Sequence, residues 1–363
     1  MAKAPAGPVF LGSYPTASIV PLKGNAYLYD NAVAAIALIG CGDAKVARRI
    51  GDAIVFALHH DPAWHDGRLR NAYQTGAAGE TPAKVAGWWD AKENRWVEDP
   101  YQVASDTGNQ AWAMLALLAL YRDSHDVRYR DAALQVASWV EQTYDSRPPQ
   151  GFMGGTFGDQ PKPQVNRWKS TEHNTDLAAA FTQLAAATGD AHWRKQAKIA
   201  SAFVAAMWNP HCACLDAGMA EDSKARNTTL ALDAQVWPLL ALPGFANRYA
   251  AMMDTLHTQV AVGGGYAYGA AKGGVWTEGT AQVALLQKLV GRDAGGLLAA
   301  TEKNRAPDGS YFATDVDALP TGFDGAVEVS RQRAYFHLPH LAALAWVALA
   351  QAGFNPFTGT RVR

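Results

Sequence analysis

Apolar residues recur along the chain at helical spacing, in two kinds of stretch that alternate. Residues 29–40 are apolar on nearly all sides, whereas residues 44–59 carry Lys45, Arg48 and Asp52 along one face. A helix that is apolar all round is buried, and an amphipathic helix covers a core. Long alternating runs typical of strands are scarce. The pattern predicts an all-α protein in which buried inner helices alternate with peripheral outer helices.

The same alternation continues to the end of the chain. Inner and outer helices are predicted at 107–121 with 128–144, 171–187 with 191–208, 229–242 with 246–260, and 276–290 with 294–305. Residues 334–351 supply a sixth inner helix, whose outer partner we expect to be replaced by N-terminal residues. A closed ring buries every inner helix economically. We therefore predict one (α/α)6 barrel, a six-hairpin toroid, over residues 1–363.

The predicted loops are unequal. Connections within a helix pair are short, such as 42–43 and 189–190, whereas those leading into the next inner helix are long: 61–106, 145–170, 263–275 and 308–333. Long loops on one face of a rigid ring are typical of a binding surface.

Composition narrows the classes of partner. The chain is 49% hydrophobic and 18% charged, as expected of a globular core, and its net charge of -1 provides no cationic surplus for nucleic acid. No apolar run is long enough to span a membrane. The compartment and the oligomeric state stay open, although a removed signal peptide would favour a periplasmic or secreted protein.

The three cysteines do not form a disulfide framework. His211, Cys212 and Cys214 stand close together without a second ligand pair at metal-binding spacing. We predict a packed or loop-bound cysteine pair there, and neither a metal nor a cofactor for the protein.

Acidic residues mark the start of most predicted inner helices: Asp30, Asp106, Glu172, Asp176, Asp233 and Glu278. Helix capping and the helix dipole explain any single one of them, with a gain of about 0.3–1 kcal/mol each. Several acids converging on one rim instead indicate glycoside hydrolysis, which needs one protonated and one ionised carboxyl group across the scissile bond.

Glu172 and Glu278 are the preferred acid and base, because each immediately precedes an apolar helix that would bury it and raise its pKa. Asp176 follows Glu172 by one helical turn and is the third catalytic candidate. Asp30, flanked by Tyr29 and Asn31, is the fourth.

Twelve tryptophans, many of them in the long loops, suggest surfaces that stack on sugar rings. Trp168 and Trp276 lie next to the preferred acids and are predicted to stack on substrate, whereas Trp88 and Trp89 are equally compatible with packing between loop and barrel. The rest of the predicted substrate-binding set is His173, Asn174, Tyr29 and Asp106.

Two segments carry a family resemblance: KSTEHNTDLAAAF from Lys169 and WTEGTAQVA from Trp276. They resemble bacterial members of the six-hairpin glycosidase superfamily, which includes the family 8 glucanases, without a close match to one family. The resemblance implies an inverting hydrolase of a polysaccharide or oligosaccharide. The histidine and extra residue between Glu172 and Asp176 depart from the family 8 pattern.

Related toroids have other activities, which stay open as alternatives. A polysaccharide lyase would draw on His173, Tyr266, Tyr268 and Arg167 for its base and cation. A sugar epimerase would need paired histidines, for which His337 and His340 are the candidates. A non-catalytic carbohydrate-binding protein of an exopolysaccharide system would use the tryptophans alone.

Overall fold

The computed structural model describes residues 7–159, 161–322 and 334–362, so that part of the predicted loop 308–333 lies outside the described residues. This part of the chain is rich in helix, as predicted. Its helices are α1 (Leu28–Gly40), α2 (Ala44–His60), α3 (Thr107–Ser124), α4 (Val127–Glu141), α5 (Thr171–Thr188), α6 (Ala191–Ala206), α7 (Asp233–Ala241), α8 (Phe245–Arg248), α9 (Met252–Val260), α10 (Thr277–Leu289), α11 (Gly295–Glu302) and α12 (Leu341–Ala352). None of them is long and apolar enough to cross a membrane.

Six of these helices contact one another in a closed cycle. Helix α1 packs on α3, α3 on α5, α5 on α7, α7 on α10, α10 on α12, and α12 returns to α1. Helices α2, α4, α6, α8 and α11 each pack on the preceding inner helix. Inner helices are buried on nearly all sides, as in α3, where residues 111–120 are all buried.

Three predicted elements are corrected. The outer helix expected at 246–260 is split into α8 and α9. The helix expected at 334–351 begins only at Leu341, because proline lacks an amide proton and disfavours helical geometry in the residue before it, so Pro339 delays the start. Cys212 and Cys214 form a disulfide, and Cys41 is a free thiol.

The strands in the described residues are short and antiparallel, and belong mostly to hairpins in the loops. They are β1 (Val9–Phe10), β2 (Asn25–Tyr27), β3 (Ala72–Gln74), β4 (Gly76–Ala77), β5 (Trp88–Asp90), β6 (Arg95–Val97), β7 (Ser105–Asp106), β8 (Tyr144–Asp145), β9 (Gly151–Phe152), β10 (Gly155–Phe157), β11 (Gln164–Asn166), β12 (Lys169–Ser170), β13 (Trp208–Asn209), β14 (Cys214–Leu215), β15 (Gly218–Met219), β16 (Arg226–Asn227), β17 (Ala261–Val262), β18 (Gly265–Tyr266), β19 (Ala318–Pro320), β20 (Ala334–Phe336), β21 (Phe354–Asn355) and β22 (Thr360–Arg361). Strands β2, β7 and β12 run directly into inner helices.

The C-terminal segment, residues 354–362, crosses the C-terminal ends of the inner helices. Asn355 Nδ2 donates to the Leu240 carbonyl at 2.9 Å, and the Phe357 carbonyl accepts from Gln183 Nε2 at 2.7 Å. Arg361 donates to backbone carbonyls at the ends of α1 and α12. The segment therefore ties four inner helices together at the end opposite the long loops.

Phe357 connects this C-terminal segment to the core of the ring. Its buried ring lies 5.1 Å from Trp112, 5.7 Å from Trp237 and 6.3 Å from Trp346, centroid to centroid. The three tryptophans come from α3, α7 and α12 and form an aromatic layer across the middle of the ring. All three are buried.

Candidate active site

The N-terminal ends of the inner helices bring five buried polar residues together, which we call the acid cluster. Asp30 comes from α1, Asp176 from α5, Asp233 from α7, Glu278 from α10, and His340 precedes α12. Electrostatic interactions link Glu278 to Asp30, Asp233 and His340, and link Asp176 to Asp233. Side chains far apart in sequence thus share one low-dielectric region above the aromatic layer.

Glu278 is held by a chain of hydrogen bonds. The Tyr29 hydroxyl donates to Glu278 Oε1 and accepts from Trp346 Nε1 at 2.7 Å. Gln282 Nε2, one turn along α10, also donates to Oε1 at 3.2 Å, whereas Oε2 has no hydrogen-bond partner among the described residues. The predicted site residues Glu278 and Tyr29 are therefore in direct contact. The second carboxyl oxygen of Glu278, Oε2, remains available to bind another group.

Burial raises the pKa of Glu278 to about 8, although His340 and the hydrogen bond from Tyr29 act in the opposite direction. Desolvation dominates because the carboxylate loses more hydration free energy on burial than its interactions with His340 and Tyr29 give back. Glu278 is consequently protonated near neutral pH. A protonated carboxyl group with a free oxygen is the form that a general acid needs.

His340 connects Glu278 to Asp30. Its Nε2 lies 3.2 Å from Asp30 Oδ2, its Nδ1 lies 4.0 Å from Glu278 Oε2, and its ring stacks on Tyr14 at 4.4 Å. Burial alone would lower the pKa of His340, but the two acids, Asp30 foremost, raise it above its usual value. The two acids therefore favour the protonated imidazolium form of His340 beside the Glu278 carboxyl.

The sequence reasoning had paired His340 with His337. In the structure His337 stacks on Phe312 at 4.1 Å and its Nδ1 lies 2.7 Å from the Thr314 carbonyl oxygen. The two histidines therefore have different surroundings, and only His340 contacts the acids.

Asp176 is the most deeply buried of the predicted acids. Burial raises its pKa well above the usual value, the charges of Glu172 and Asp233 raise it further, and the nearby Trp112 indole offsets only part of this. Neither carboxyl oxygen meets a hydrogen-bond partner at normal geometry among the described residues. Burial therefore makes Asp176 harder to ionise than an ordinary aspartic acid.

Asp233 was noted as a helix-start acid but was not among the preferred site residues. Its Oδ1 accepts from the Ala234 amide at 2.7 Å, and burial raises its pKa to about 6. The signal that pointed to it was its place in the first turn of an inner helix, which it shares with Glu278.

Glu172 stands at the edge of the acid cluster. It lies in the first turn of α5, is half-buried, and its charge acts on Asp176. Next to it, His173 Nδ1 lies 3.1 Å from Thr107 Oγ1, and the His173 ring is 5.3 Å from Trp168. Glu172, His173 and Trp168 thus lie together at the N-terminal end of α5.

Other predicted site residues have structural contacts. Asn174 bonds to both backbone groups of Phe152, at 2.9 and 3.0 Å, and so fixes β9 to α5. Asp106 is buried just before α3, where its amide donates to Asn71 Oδ1 at 2.8 Å. Trp276 is 1% exposed and packs between Tyr268 and Tyr335, at 5.0 and 5.2 Å. The half-exposed Tyr335, which the sequence reasoning missed, covers it.

Comparisons with known proteins identify the fold. No family model and no curated protein matches the chain. A glycosidase solved in complex with glucose is 16% identical with a TM-score of 0.59, covering 95% of this chain and 91% of the other. A bacterial glucoamylase complexed with acarbose is 12% identical, TM-score 0.57, covering 93% and 49%. A sugar epimerase from a ruminal bacterium is 12% identical, TM-score 0.60, covering 95% and 92%.

At these identities the similarity establishes a shared fold and nothing finer. The expected distant resemblance to the six-hairpin glycosidases, with no close match to one family, is confirmed at that level.

Proposed function

We propose that the closed cycle of inner helices is an (α/α)6 barrel and that the protein is a glycoside hydrolase with Glu278 as its proton donor. One observation carries the proposal: a buried Glu278 carboxyl, protonated near neutral pH, lies among further acids from three other inner helices. Two carboxyl groups in unlike protonation states are what hydrolysis of a glycosidic bond requires.

In the proposed reaction Glu278 gives its proton to the glycosidic oxygen as the bond to the anomeric carbon breaks. Glu172, more exposed at the edge of the cluster, removes a proton from the attacking water, which supplies the new hydroxyl group on the anomeric carbon. Inversion of the anomeric configuration follows if water attacks from the opposite face. The nearby His340, whose protonated form the neighbouring acids favour, stabilises the Glu278 carboxylate that remains.

The other acids have supporting roles in this proposal. Asp30 acts through His340 and is a positioning residue. Asp176, whose protonated form burial favours, donates a hydrogen bond to a sugar hydroxyl group in that form. The glucose and acarbose in the similar structures make glucosides the first substrates to examine.

The test is release of reducing ends from soluble starch, mixed-linkage β-glucan and acidic bacterial exopolysaccharides. We expect Glu278→Gln and Glu172→Gln to lower the rate of release at least about 100-fold. Glu80→Gln, which changes an exposed glutamate paired with Lys84 at the surface, should leave the rate unchanged. Release by Glu278→Gln at the wild-type rate contradicts the assignment. Products with the ultraviolet absorbance of an unsaturated uronate would identify a lyase instead.

The epimerase alternative has one specific observation behind it, the buried His340 between two acids in a chain that shares its fold with a sugar epimerase. An epimerase exchanges a carbon-bound hydrogen of its sugar, whereas an inverting hydrolase does not. Incorporation of deuterium from heavy water at a sugar carbon, without cleavage of the glycosidic bond, would favour the epimerase.

A further inference from the structure

A hairpin in loop 61–106 presents two tryptophans to solvent. Strands β5 and β6 pair with Trp89 directly opposite Trp96. Residues directly opposite each other on an antiparallel pair point to the same face of the hairpin. Trp89 is 57% exposed and Trp96 is 40% exposed, so two large aromatic surfaces lie side by side in water. Such an exposed apolar patch marks an interaction site more often than chance.

The hairpin fixes where these rings stand. A Cβ atom on Gly87 would lie 2.6 Å from Trp96 Nε1 and 2.5 Å from the Val97 carbonyl oxygen, so the Trp96 indole rests against a backbone that only glycine leaves open. At the turn, Asp90 Oδ1 accepts from the amides of Lys92 and Glu93 at 2.8 and 3.2 Å. A ring surface that is already ordered loses little entropy on binding.

The base of the hairpin is attached to the end of the ring that holds the acid cluster. The Gly87 amide donates to Asn25 Oδ1 at 3.3 Å. Asn25 begins β2, which leads directly into α1 and therefore to Tyr29 and Asp30. A ligand lying across the hairpin is consequently at the same end of the ring as the acid cluster.

The charged residues around the two rings restrict the chemical class of ligand that the hairpin can bind. Asp90, Lys92, Glu93 and Arg95 balance one another, and the Arg95 guanidinium pairs with the Glu93 carboxylate at 2.6 Å. A balanced surface does not attract a polyanion or an anionic membrane. Two flat aromatic faces surrounded by polar groups suit the C–H face of sugar rings, whose hydroxyl groups reach the polar rim.

We propose that Trp89 and Trp96 form a second carbohydrate-binding site, which holds a polysaccharide chain at the same end of the ring as the acid cluster. The proposal rests on the proposed function, since it assumes that the substrate is a carbohydrate.

Affinity electrophoresis tests the site without turnover. Glu278→Gln protein is run in native gels that contain soluble starch or mixed-linkage β-glucan. We expect at least one polymer to retard it, and we expect Trp89→Ala and Trp96→Ala, each added to Glu278→Gln, to weaken binding by up to about tenfold each. Leu344→Ala, which removes an exposed apolar side chain on α12, is the matched control and should bind as the parent does.

A second variant separates ring position from ring removal. Gly87→Ala keeps both tryptophans but forces the Trp96 indole to move, so binding should weaken while the melting temperature shows that the protein is folded. Retention of full binding in the double variant Trp89→Ala/Trp96→Ala overturns the proposal, as does the absence of retardation by either polymer. So does a wild-type dimer that Trp89→Ala converts to monomer, because the rings would then meet a second copy.

The two proposals fail in different ways. Hydrolysis of a disaccharide such as maltose or cellobiose needs only the residues around the acid cluster, so Trp89→Ala should leave it unchanged. If the gels show tryptophan-dependent binding but no bond is cleaved, the hydrolase proposal falls and the second site stands. If cleavage occurs and the tryptophans make no difference to binding, the reverse holds.

Discussion

The two ends of the ring of inner helices differ in whether their polar groups have hydrogen-bond partners. At the C-terminal end, backbone carbonyls accept hydrogen bonds from the side chains of Asn355, Gln183 and Arg361. Phe357 fills the space between the tryptophans. At the N-terminal end, atoms of Asp176 and Glu278 are buried without hydrogen-bond partners in the described residues.

Buried polar atoms without partners cost free energy, about 1–3 kcal/mol each. A protein can keep such groups where their chemistry is needed. We infer from the contrast that the C-terminal end maintains stability and that the acid cluster serves the proposed activity. Variants at the two ends should therefore differ in which property they change.

The largest effect is expected at the acid end. Glu278→Gln removes the proposed proton donor, and activity on a cleaved glycoside should fall about 10²–10⁴-fold. Its melting temperature at neutral pH should not fall, because glutamine resembles the protonated carboxyl group that it replaces. Paired measurements of rate and thermal unfolding check this, and a large loss of stability would mean that the two ends do not differ as argued.

At the opposite end, Phe357→Ala should lower the free energy of unfolding by about 3–5 kcal/mol, because it leaves a cavity among three tryptophans. Denaturant unfolding measures the loss. Well below the melting temperature, the pH at which activity declines should match that of the wild type. A shifted pH profile would show that Phe357 also governs the acid cluster.

The pH dependence of stability sharpens the comparison. The pKa of Glu278 is about 8 in the folded protein, above its unfolded value of about 4.5. Its stabilising contribution is complete below the unfolded value and is lost as pH rises towards 8, at up to about 1.4 kcal/mol per pH unit. Asp176 adds a loss of the same sign.

We therefore expect wild-type stability to decline from weakly acidic to weakly basic pH, and Glu278→Gln to decline less steeply. Denaturant unfolding across that range measures both slopes. Activity should fall as pH rises through about 8, because Glu278 then loses the proton that it must donate. Equal slopes for the two proteins would contradict the assigned burial of the charge.

The smallest effect is expected at Arg361. Its guanidinium reaches the carbonyls of Gly40 and Ala352 from an exposed position, so Arg361→Ala should cost about 1 kcal/mol of stability and leave the rate constant of the reaction unchanged. Thermal unfolding and a standard assay suffice. A loss of stability comparable to that of Phe357→Ala would show that the hydrogen bonds between helix ends stabilise the fold as much as the Phe357 side chain in the core does.

Much of the fold follows from local pattern. The periodicity predicted α1, α3, α5 and α10 within a few residues, because each is apolar all round and preceded by a turn or an acid. It extended the last helix too far towards the N-terminus, since Pro339 interrupts an otherwise apolar run. It also did not predict the disulfide, because Cys212 and Cys214 are joined across a turn whose geometry is not evident from composition.

The candidate site was predictable only in part. Glu278, Asp176, Asp30 and Tyr29 were recognised by their places at the starts of helices, and the structure brings them into one region. Their partners were predicted less well. His340 was a candidate only for the epimerase alternative, paired with His337, and Tyr14 and Tyr335 lie in other segments where nothing local distinguishes them from core residues.

The sequence by itself determined which segments become helices and which acids stand at their first turns, because helical periodicity and capping are local properties. Only the tertiary structure decided which of those acids is protonated. Protonation depends on how far each carboxyl group is removed from water and on which charges face it: for Glu278 these are Asp30, Asp233 and His340, contributed by three other segments of the chain. Burial and charge proximity are set by the ring as a whole, and no single segment contains them.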